Sequence, residues 1–249
     1  MAETLLAAFG LSRRFGGLVA VNDVSLALER GAVHAVIGTN GAGKSTLINI
    51  LSGEIAATAG RVELLGQDVT SLSQPRRALR GLGRSYQRST IFPHFTVAEN
   101  CRLAAQAMRQ RPWALWEPAR DCPEATQRAR SALERTGLDE DATRLAGSLP
   151  HGRKRQLEIA LCLATTPRVL LLDEPLAGMG PEETERMLAL LAQLKADHAI
   201  LLVEHDMDAV FRIADRITVM VNGMAIASDT PDNVRANQEV QRAYLGVGH

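Results

Sequence analysis

Eight residues, Gly38-Thr39-Asn40-Gly41-Ala42-Gly43-Lys44-Ser45, constrain this chain more than any other stretch. They fit the spacing G-x-x-x-x-G-K-[ST], with an apolar strand candidate at 32–37 before them and a helical pattern at 45–51 after. Glycines at this spacing let the backbone curl until successive N–H groups point inward as an anion nest. A helix opening at Lys44 adds its positive end. The lysine ammonium then neutralises β- and γ-phosphates, and the Ser45 hydroxyl is a ligand for Mg²⁺. A glycine-rich turn without a ligand is the plain alternative, and the flanking strand and helix argue against it.

Two further strand ends read together with this loop. Val169-Leu170-Leu171-Leu172-Asp173-Glu174 is an apolar run ending in two carboxylates. In a parallel sheet such a run delivers its last residues to the carboxyl edge, where ligands bind. Alone it also fits a cap or a surface end. Beside a phosphate loop, Asp173 reads as a metal ligand and Glu174 as the general base for an attacking water. Ile200-Leu201-Leu202-Val203-Glu204-His205-Asp206 repeats the pattern. His205 at that edge could bond a γ-phosphate or the water, where a lone histidine would more simply be structural.

Composition narrows the partners. The 28 basic and 28 acidic residues cancel, so no whole-molecule field steers the chain toward nucleic acid or an anionic membrane. Aromatic residues at 4% leave few stacking platforms for single strands. Cys101, Cys122 and Cys162 form no metal-type pair and an odd count suits no disulfide framework, which predicts reduced thiols in a cytosolic setting. No apolar run reaches bilayer length; residues 157–172 come nearest but contain Glu158 and Arg168. No signal peptide is visible. The expectation is a soluble chain that serves any membrane from the cytoplasmic side through partners.

Along the chain, residues 24–28 alternate as a half-buried strand, and 61–65 form another strand closed by Gly66. Residues 89–165 turn helical, interrupted at 111–123 by three prolines with Trp113 and Trp116, read as a loop or broken helix. Strands at 168–172 and 199–203 flank a helix at 181–197, a strand-helix-strand unit favouring a parallel sheet. Asn222-Gly223 turns a hairpin, and Thr230-Pro231 opens a last helix with Thr230 as N-cap. With only a short tail after Leu245, no added regulatory domain is expected.

The order of phosphate loop, Tyr86-Gln87, a signature at Leu149-Pro150-His151-Gly152-Arg153, the strand ending in Asp173-Glu174, then His205 resembles the ATP-binding cassette family over essentially the whole chain. The resemblance implies an α/β P-loop NTPase: one ABC ATPase domain with a RecA-like parallel-sheet core, an N-terminal antiparallel β subdomain and an inserted α-helical subdomain. Core and β subdomain would take about 1–88 and 166–249, and the helical part about 89–165. It implies ATP held by Phe15 (stacked on adenine), Gly38, Thr39, Asn40, Gly41, Ala42, Gly43, Lys44, Ser45, Thr46 and Gln87. Mg²⁺ would meet Ser45, Gln87 and Asp173, and Glu174 and His205 would be catalytic. Pro150, His151, Gly152 and Arg153 would face the ATP of a second ATPase subunit in a head-to-tail homodimer or paralogous heterodimer. Transmembrane permease subunits, an extracytoplasmic solute-binding protein acting through them, a place on the cytoplasmic face of the inner membrane, and no nucleic acid follow too.

Within the family, Phe15-Gly16-Gly17-Leu18, the 152–160 segment, Glu174-Pro175 with Ala177-Gly178-Met179, Glu204-His205-Asp206-Met207 and Tyr244-Leu245-Gly246 resemble ATPase subunits of branched-chain amino-acid and related amide importers. An export or lipopolysaccharide-extraction ATPase, or a soluble ABC-type ATPase acting on DNA or ribosomes, is the alternative. The signature departs from Leu-Ser-Gly-Gly-Gln, lacking the serine hydroxyl, and Gly180 stands where the family usually has Asp. Arg153, Lys154 and Arg155 crowd a helix start and oppose its dipole, which suits either a docking anion or a solvated basic turn. Arg76, Arg77, Arg80, Arg84 and Arg88 read as a solvated helix face rather than a partner patch. Trp113 and Trp116 read as internal packing rather than partner anchors.

Overall fold

A computed structural model describes residues 3–87, 90–108 and 122–244. Arg88, Trp113, Trp116 and most of the proline-interrupted segment lie outside these residues, as do Leu245 and Gly246. The chain opens with a 4-stranded antiparallel sheet ordered β2-β1-β4-β5. Its strands are β1 (Thr4–Phe15), β2 (Leu18–Glu29), β4 (Ala59–Leu64) and β5 (Gln67–Asp68). Val24, Leu26 and Leu28 are buried while Ser25 and Ala27 face out, the period-2 pattern of a strand with one core face.

The second sheet has 6 strands ordered β10-β9-β3-β8-β7-β6. They are β3 (Val33–Gly38), β6 (Leu82–Arg84), β7 (Val169–Asp173), β8 (Ala199–Val203), β9 (Arg216–Val221) and β10 (Met224–Asp229). β6, β7, β8, β3 and β9 are parallel, and β10 closes the edge antiparallel to β9. Every residue of β3, β7 and β8 is buried, as expected for strands covered on both faces. Alternation splits them between two cores. Leu170, Leu172, Ile200 and Leu202 pack toward the helical side. Val169, Leu171, Leu201 and Val203 pack toward the antiparallel sheet and the helix after the phosphate loop.

The helices are α1 (Lys44–Ser52), α2 (Gln74–Ala78), α3 (Val97–Ala107), α4 (Pro123–Thr136), α5 (His151–Ala164), α6 (Pro181–Leu194), α7 (Met207–Ile213), α8 (Pro231–Ala236) and α9 (Gln238–Tyr244). α3, α4 and α5 pack on one another through Cys101, Ala105, Ala129, Ala132, Leu133 and Leu157. A capping box starts α3, with Thr96 accepting from the Glu99 N–H and Glu99 returning the bond. Among the described residues no helix is long and apolar enough to cross a membrane.

Several sequence expectations need correction. Pro123 does not sit in the broken loop but opens α4, with Cys122 at its N-cap, where proline's missing N–H costs nothing. The strand expected at 61–65 runs Ala59–Leu64, and Leu65 (φ 52) with Gly66 (φ 73) turns it into β5. Thr230 occupies the N-cap position of α8, yet its side chain makes no capping bond. The last helix is instead α9, because α8 stops at Ala236. The arginine run is not one solvated face: Arg76 and Arg80 are exposed, but Arg77 is 2% exposed and the Arg84 side chain only 7%. Cys101, Cys122 and Cys162 are all buried. Burial pushes the thiols of Cys101 and Cys162 up to about 12, so neither is a thiolate near neutrality.

His34 on β3 is also buried, and its bonds set its tautomer. The Ala27 carbonyl can only accept, so Nδ1 donates to it at 3.0 Å and Nε2 accepts from the Thr218 hydroxyl at 2.7 Å. Burial, aided by Arg216, lowers the imidazole from 6.5 to about 4. The unfolded chain therefore binds the extra proton first. Stability from His34 is complete above about pH 6.5 and is lost as pH falls toward 4, by about 3 kcal/mol. Urea unfolding of the protein and of His34→Gln across that range checks this: the substitution should flatten that part of the profile.

Candidate active site

The phosphate loop leaves the carboxyl end of β3, and its geometry depends on two of its glycines. Gly41 has φ 79 and Gly43 φ 98, the left-handed region that glycine enters freely. A Cβ on Gly43 would run into the Ala20 carbonyl oxygen, and one on Gly38 into the Met220 carbonyl oxygen. The loop is thus pressed between β2 and the β9–β10 turn, and the Gly223 N–H donates to the Ala42 carbonyl at 3.0 Å. Gly43 caps α1, whose first turn has no acidic residue to occupy its N–H groups. Ala42 and Lys44 are buried, Thr39, Asn40 and Ser45 exposed, and Thr46 intermediate. Lys44 Nζ folds back to donate to the carbonyls of Gly38 (2.7 Å) and Thr39 (3.1 Å). Burial lowers the ammonium pKa, while Glu174 and Asp173 pull it up.

Parallel register brings the other strand ends to the same edge, since Asp173 pairs with Val203 and Val36 with the same residue from the other side. Asp173 is buried, and burial raises its carboxyl while Arg84 pulls it down. Arg84 stands 3.9 Å away and also donates to Ser52 (2.6 Å), Glu54 (2.7 Å) and Asn49 (2.5 Å), tying α1 to β6 behind the loop. Glu174 has φ 50, a left-handed backbone that costs a side-chain-bearing residue roughly 1–2 kcal/mol. Its N–H donates to the Val203 carbonyl at 2.9 Å, which holds the turn. Gln87 lies in the irregular segment after β6, and its Nε2 donates to Glu174 Oε2 at 2.8 Å. His205 is 61% exposed, with Nδ1 4.0 Å from Glu174 Oε1, beyond bonding distance.

Phe15 ends β1 with its ring 45% exposed and the Arg13 guanidinium 4.6 Å over it. The expected signature starts α5. Leu149 is buried, Pro150 is the N-cap, and His151 Nε2 donates to the Ala177 carbonyl at 2.9 Å. The Gly152 N–H donates to Glu183 Oε1 at 3.3 Å, and a Cβ on Gly152 would collide with that carboxylate. The basic start of α5 stays partly exposed and also meets an anion. Glu183 from α6 supplies a carboxylate, Arg153 donates to the Gly137 carbonyl at 2.6 Å, and the Arg155 side chain is 10% exposed.

Glu204 and Glu183 are the residues whose placement sequence reasoning missed. Glu204 is 1% exposed and its two oxygens accept from the N–H groups of Leu176 (2.8 Å) and His205 (3.1 Å). It thereby fixes the turn after Glu174 and the backbone of His205 together. Burial raises its carboxyl against those two bonds. A carboxylate directly before a histidine at a strand end is the signal that points to it.

A divalent cation fits this donor set only in the way Mg²⁺ usually binds, through one carboxylate plus substrate oxygens and water. Among the described residues no three His, Cys, Asp or Glu side chains cluster as a cage. The Ser45 hydroxyl, the Asp173 carboxylate and the Gln87 amide oxygen are hard oxygen donors, and the Gln87 bond to Glu174 uses its nitrogen.

Comparison with known proteins agrees with this geometry. The family described as ABC transporter matches residues 21–177, and the family described as branched-chain amino acid ATP-binding cassette transporter matches 226–249. The chain is 44% identical over 253 aligned positions to the high-affinity branched-chain amino acid transport ATP-binding protein LivG of Salmonella typhimurium, covering 99% of each chain. It is 41% identical to BraF of Pseudomonas aeruginosa, a protein of the same description, again over 99% of both. Among solved structures it superposes with TM-score 0.88 on a nucleotide-free ATP-binding cassette from an ABC transporter, at 29% identity over 99% and 100% of the chains. The ADP conformation of the cassette MJ1267 gives 0.88 at 30% identity over 98% and 99%. The expected α/β P-loop NTPase fold is borne out, and the chain belongs to the ABC transporter family as an ABC ATPase domain.

Proposed function

We propose that this chain binds and hydrolyses ATP to power import of branched-chain amino acids or related small solutes through a transmembrane permease. The observation that carries the site is the Gln87–Glu174 bond at the sheet edge beside Lys44 and Asp173. The likeness to LivG and BraF supports the importer and its substrate class.

In this reading residues 38–46 cradle the triphosphate with their N–H groups, and Lys44 releases its two carbonyls to meet the phosphates. Phe15 stacks on the base. Ser45, Gln87 and Asp173 hold Mg²⁺, which supplies charge neutralisation at the phosphates when bound. Glu174 takes the proton from the attacking water, held on one side by Gln87, while His205 stands ready to bond the γ-phosphate or the water. Pro150, His151, Gly152 and Arg153 face the ATP of a second ATPase subunit, identical or paralogous, packed head to tail. Pro150 supplies neither a hydroxyl nor an N–H to that contact and the Gly152 N–H donates to Glu183, so the N–H groups of His151 and Arg153 carry it.

The permease places the chain on the cytoplasmic face of the inner membrane, with a solute-binding protein engaged on the far side. Mild solubilisation of native membranes and affinity capture of the tagged chain tests this. Polytopic permeases, with a branched-chain amino-acid binding protein encoded beside them, are the expected recovery. Lipid-export components, or ribosomes or DNA with no membrane protein, would overturn the importer while leaving the ATPase standing.

A further inference from the structure

Arg155 reaches from the second turn of α5 into the segment that carries Gln87. Its side chain is 10% exposed and that of Glu158 5%. Nη1 donates to Glu158 Oε2 at 2.9 Å and to the Tyr86 carbonyl at 3.3 Å, and Nη2 donates to the Gln87 carbonyl at 3.1 Å. The Gln87 side chain continues the path to Glu174 Oε2.

We propose that Arg155 is a positioning residue for ATP hydrolysis, clamping the Tyr86 and Gln87 carbonyls to α5 so that the Gln87 amide stays on Glu174. The inference rests on the assignment of Glu174 as the catalytic carboxylate. Three features favour a clamp over a plain buried ion pair. First, the ladder between β6 and β7 extends only as far as the Ser85 N–H, bonded to Leu171 at 3.0 Å. Tyr86 and Gln87 follow in irregular backbone.

Second, the guanidinium is a planar fork whose two ends suit two successive carbonyls, whereas an ammonium is a single point charge. Third, the pair with Glu158 is not closed as a two-bond fork: Arg155 Nε and Glu158 Oε1 are buried without a hydrogen-bond partner. Arginine and carboxylate ordinarily prefer the bidentate arrangement. Here the guanidinium is shared with the loop carbonyls instead. Glu158 neutralises the charge, and the carbonyls take the remaining directional bonds.

The test uses Arg155→Lys, Arg155→Met, Gln87→Ala and the Arg155→Met/Gln87→Ala double variant, with Glu174→Gln alongside. Each is assayed for kcat and KM, for ATP affinity with a fluorescent nucleotide, and for melting midpoint. Arg155→Lys keeps the charge opposite Glu158 but lacks the fork. It should keep the midpoint and the ATP affinity within about twofold, and lose about tenfold or more in kcat through misplacement of Gln87.

Arg155→Met should lose at least as much, and in the Gln87→Ala background should add nothing further, because the two act in series. The clamp is overturned if Arg155→Lys restores wild-type kcat, or if the losses of Arg155→Met and Gln87→Ala multiply in the double variant. Should Arg155→Met not fold, Arg155→Lys decides alone. Normal turnover by Glu174→Gln would be a separate failure, removing the carboxylate assignment on which the clamp depends.

Discussion

Glu174→Gln is expected to bind ATP with near-normal affinity and to lose about 10²- to 10⁴-fold in turnover, the usual contribution of a positioned general base. The substitution is close to isosteric. The amide oxygen can still accept the Gln87 Nε2–H that Glu174 Oε2 accepts at 2.8 Å, so the loop should keep its place. The left-handed backbone at position 174 is held by the Val203 carbonyl and does not depend on the carboxylate. Only the proton acceptor disappears. Phosphate release measured beside nucleotide binding separates the two quantities, and gel filtration with ATP and Mg²⁺ should show the variant accumulating as dimers. Turnover at the wild-type rate would remove Glu174 from its assigned role.

Arg77→Leu is expected to cost about 3–5 kcal/mol of stability, with no contact to nucleotide involved. Arg77 donates to the carbonyls of Ile50 (2.8 Å), Leu51 (2.8 Å), Thr70 (2.9 Å) and Leu72 (3.1 Å). Ile50 and Leu51 lie in the last turn of α1, where a cation is favoured, although the Ile50 carbonyl also accepts from the Gly53 N–H at 3.1 Å. Gly53 at the C-cap makes room, since a Cβ there would lie 2.7 Å from Arg77 Nε. Burial lowers the guanidinium pKa, with only Asp68 opposing it. Leucine would fill the volume and leave the Leu51, Thr70 and Leu72 carbonyls without the guanidinium, each worth about 1 kcal/mol or more when buried, while Ile50 would keep the Gly53 N–H. Denaturant unfolding followed by circular dichroism measures the loss. A change under about 1 kcal/mol would mean that water replaces the guanidinium, and that α1 is not anchored through Arg77.

Much of the fold and of the site is legible in the sequence alone. β7 and β8 are uninterrupted apolar runs because both faces of a parallel strand are covered, and the edge residues follow from where those runs end. Asn222-Gly223 announces its hairpin because both residues tolerate positive φ, and they adopt 48 and 82. The β4–β5 hairpin gives no such signal, because Leu65 adopts φ 52 without being a turn-forming residue; its N–H is instead held by the Leu5 carbonyl on the neighbouring strand.

Local pattern puts Arg77 and Arg84 at the surface, where arginine usually sits, and the carbonyls and carboxylates that justify their burial lie up to 89 residues away at Asp173. Glu183 escapes a sequence reading for the same reason, since its partner Gly152 lies 31 positions off, while Glu204 has a local signal in His205 but its other partner, Leu176, lies 28 positions away. Periodicity and turn chemistry are local. Buried polar pairing is not.

The most direct test of the whole account is the structure of Glu174→Gln with ATP and Mg²⁺. The expected result is a head-to-tail pair of chains, the triphosphate lying on residues 38–46, Mg²⁺ against Ser45, Gln87 and Asp173, and Pro150 to Arg153 of the other subunit closing over the γ-phosphate. Nucleotide bound away from the loop, or bound there with Gln87 and Asp173 turned from the metal and the signature left in solvent, would contradict it.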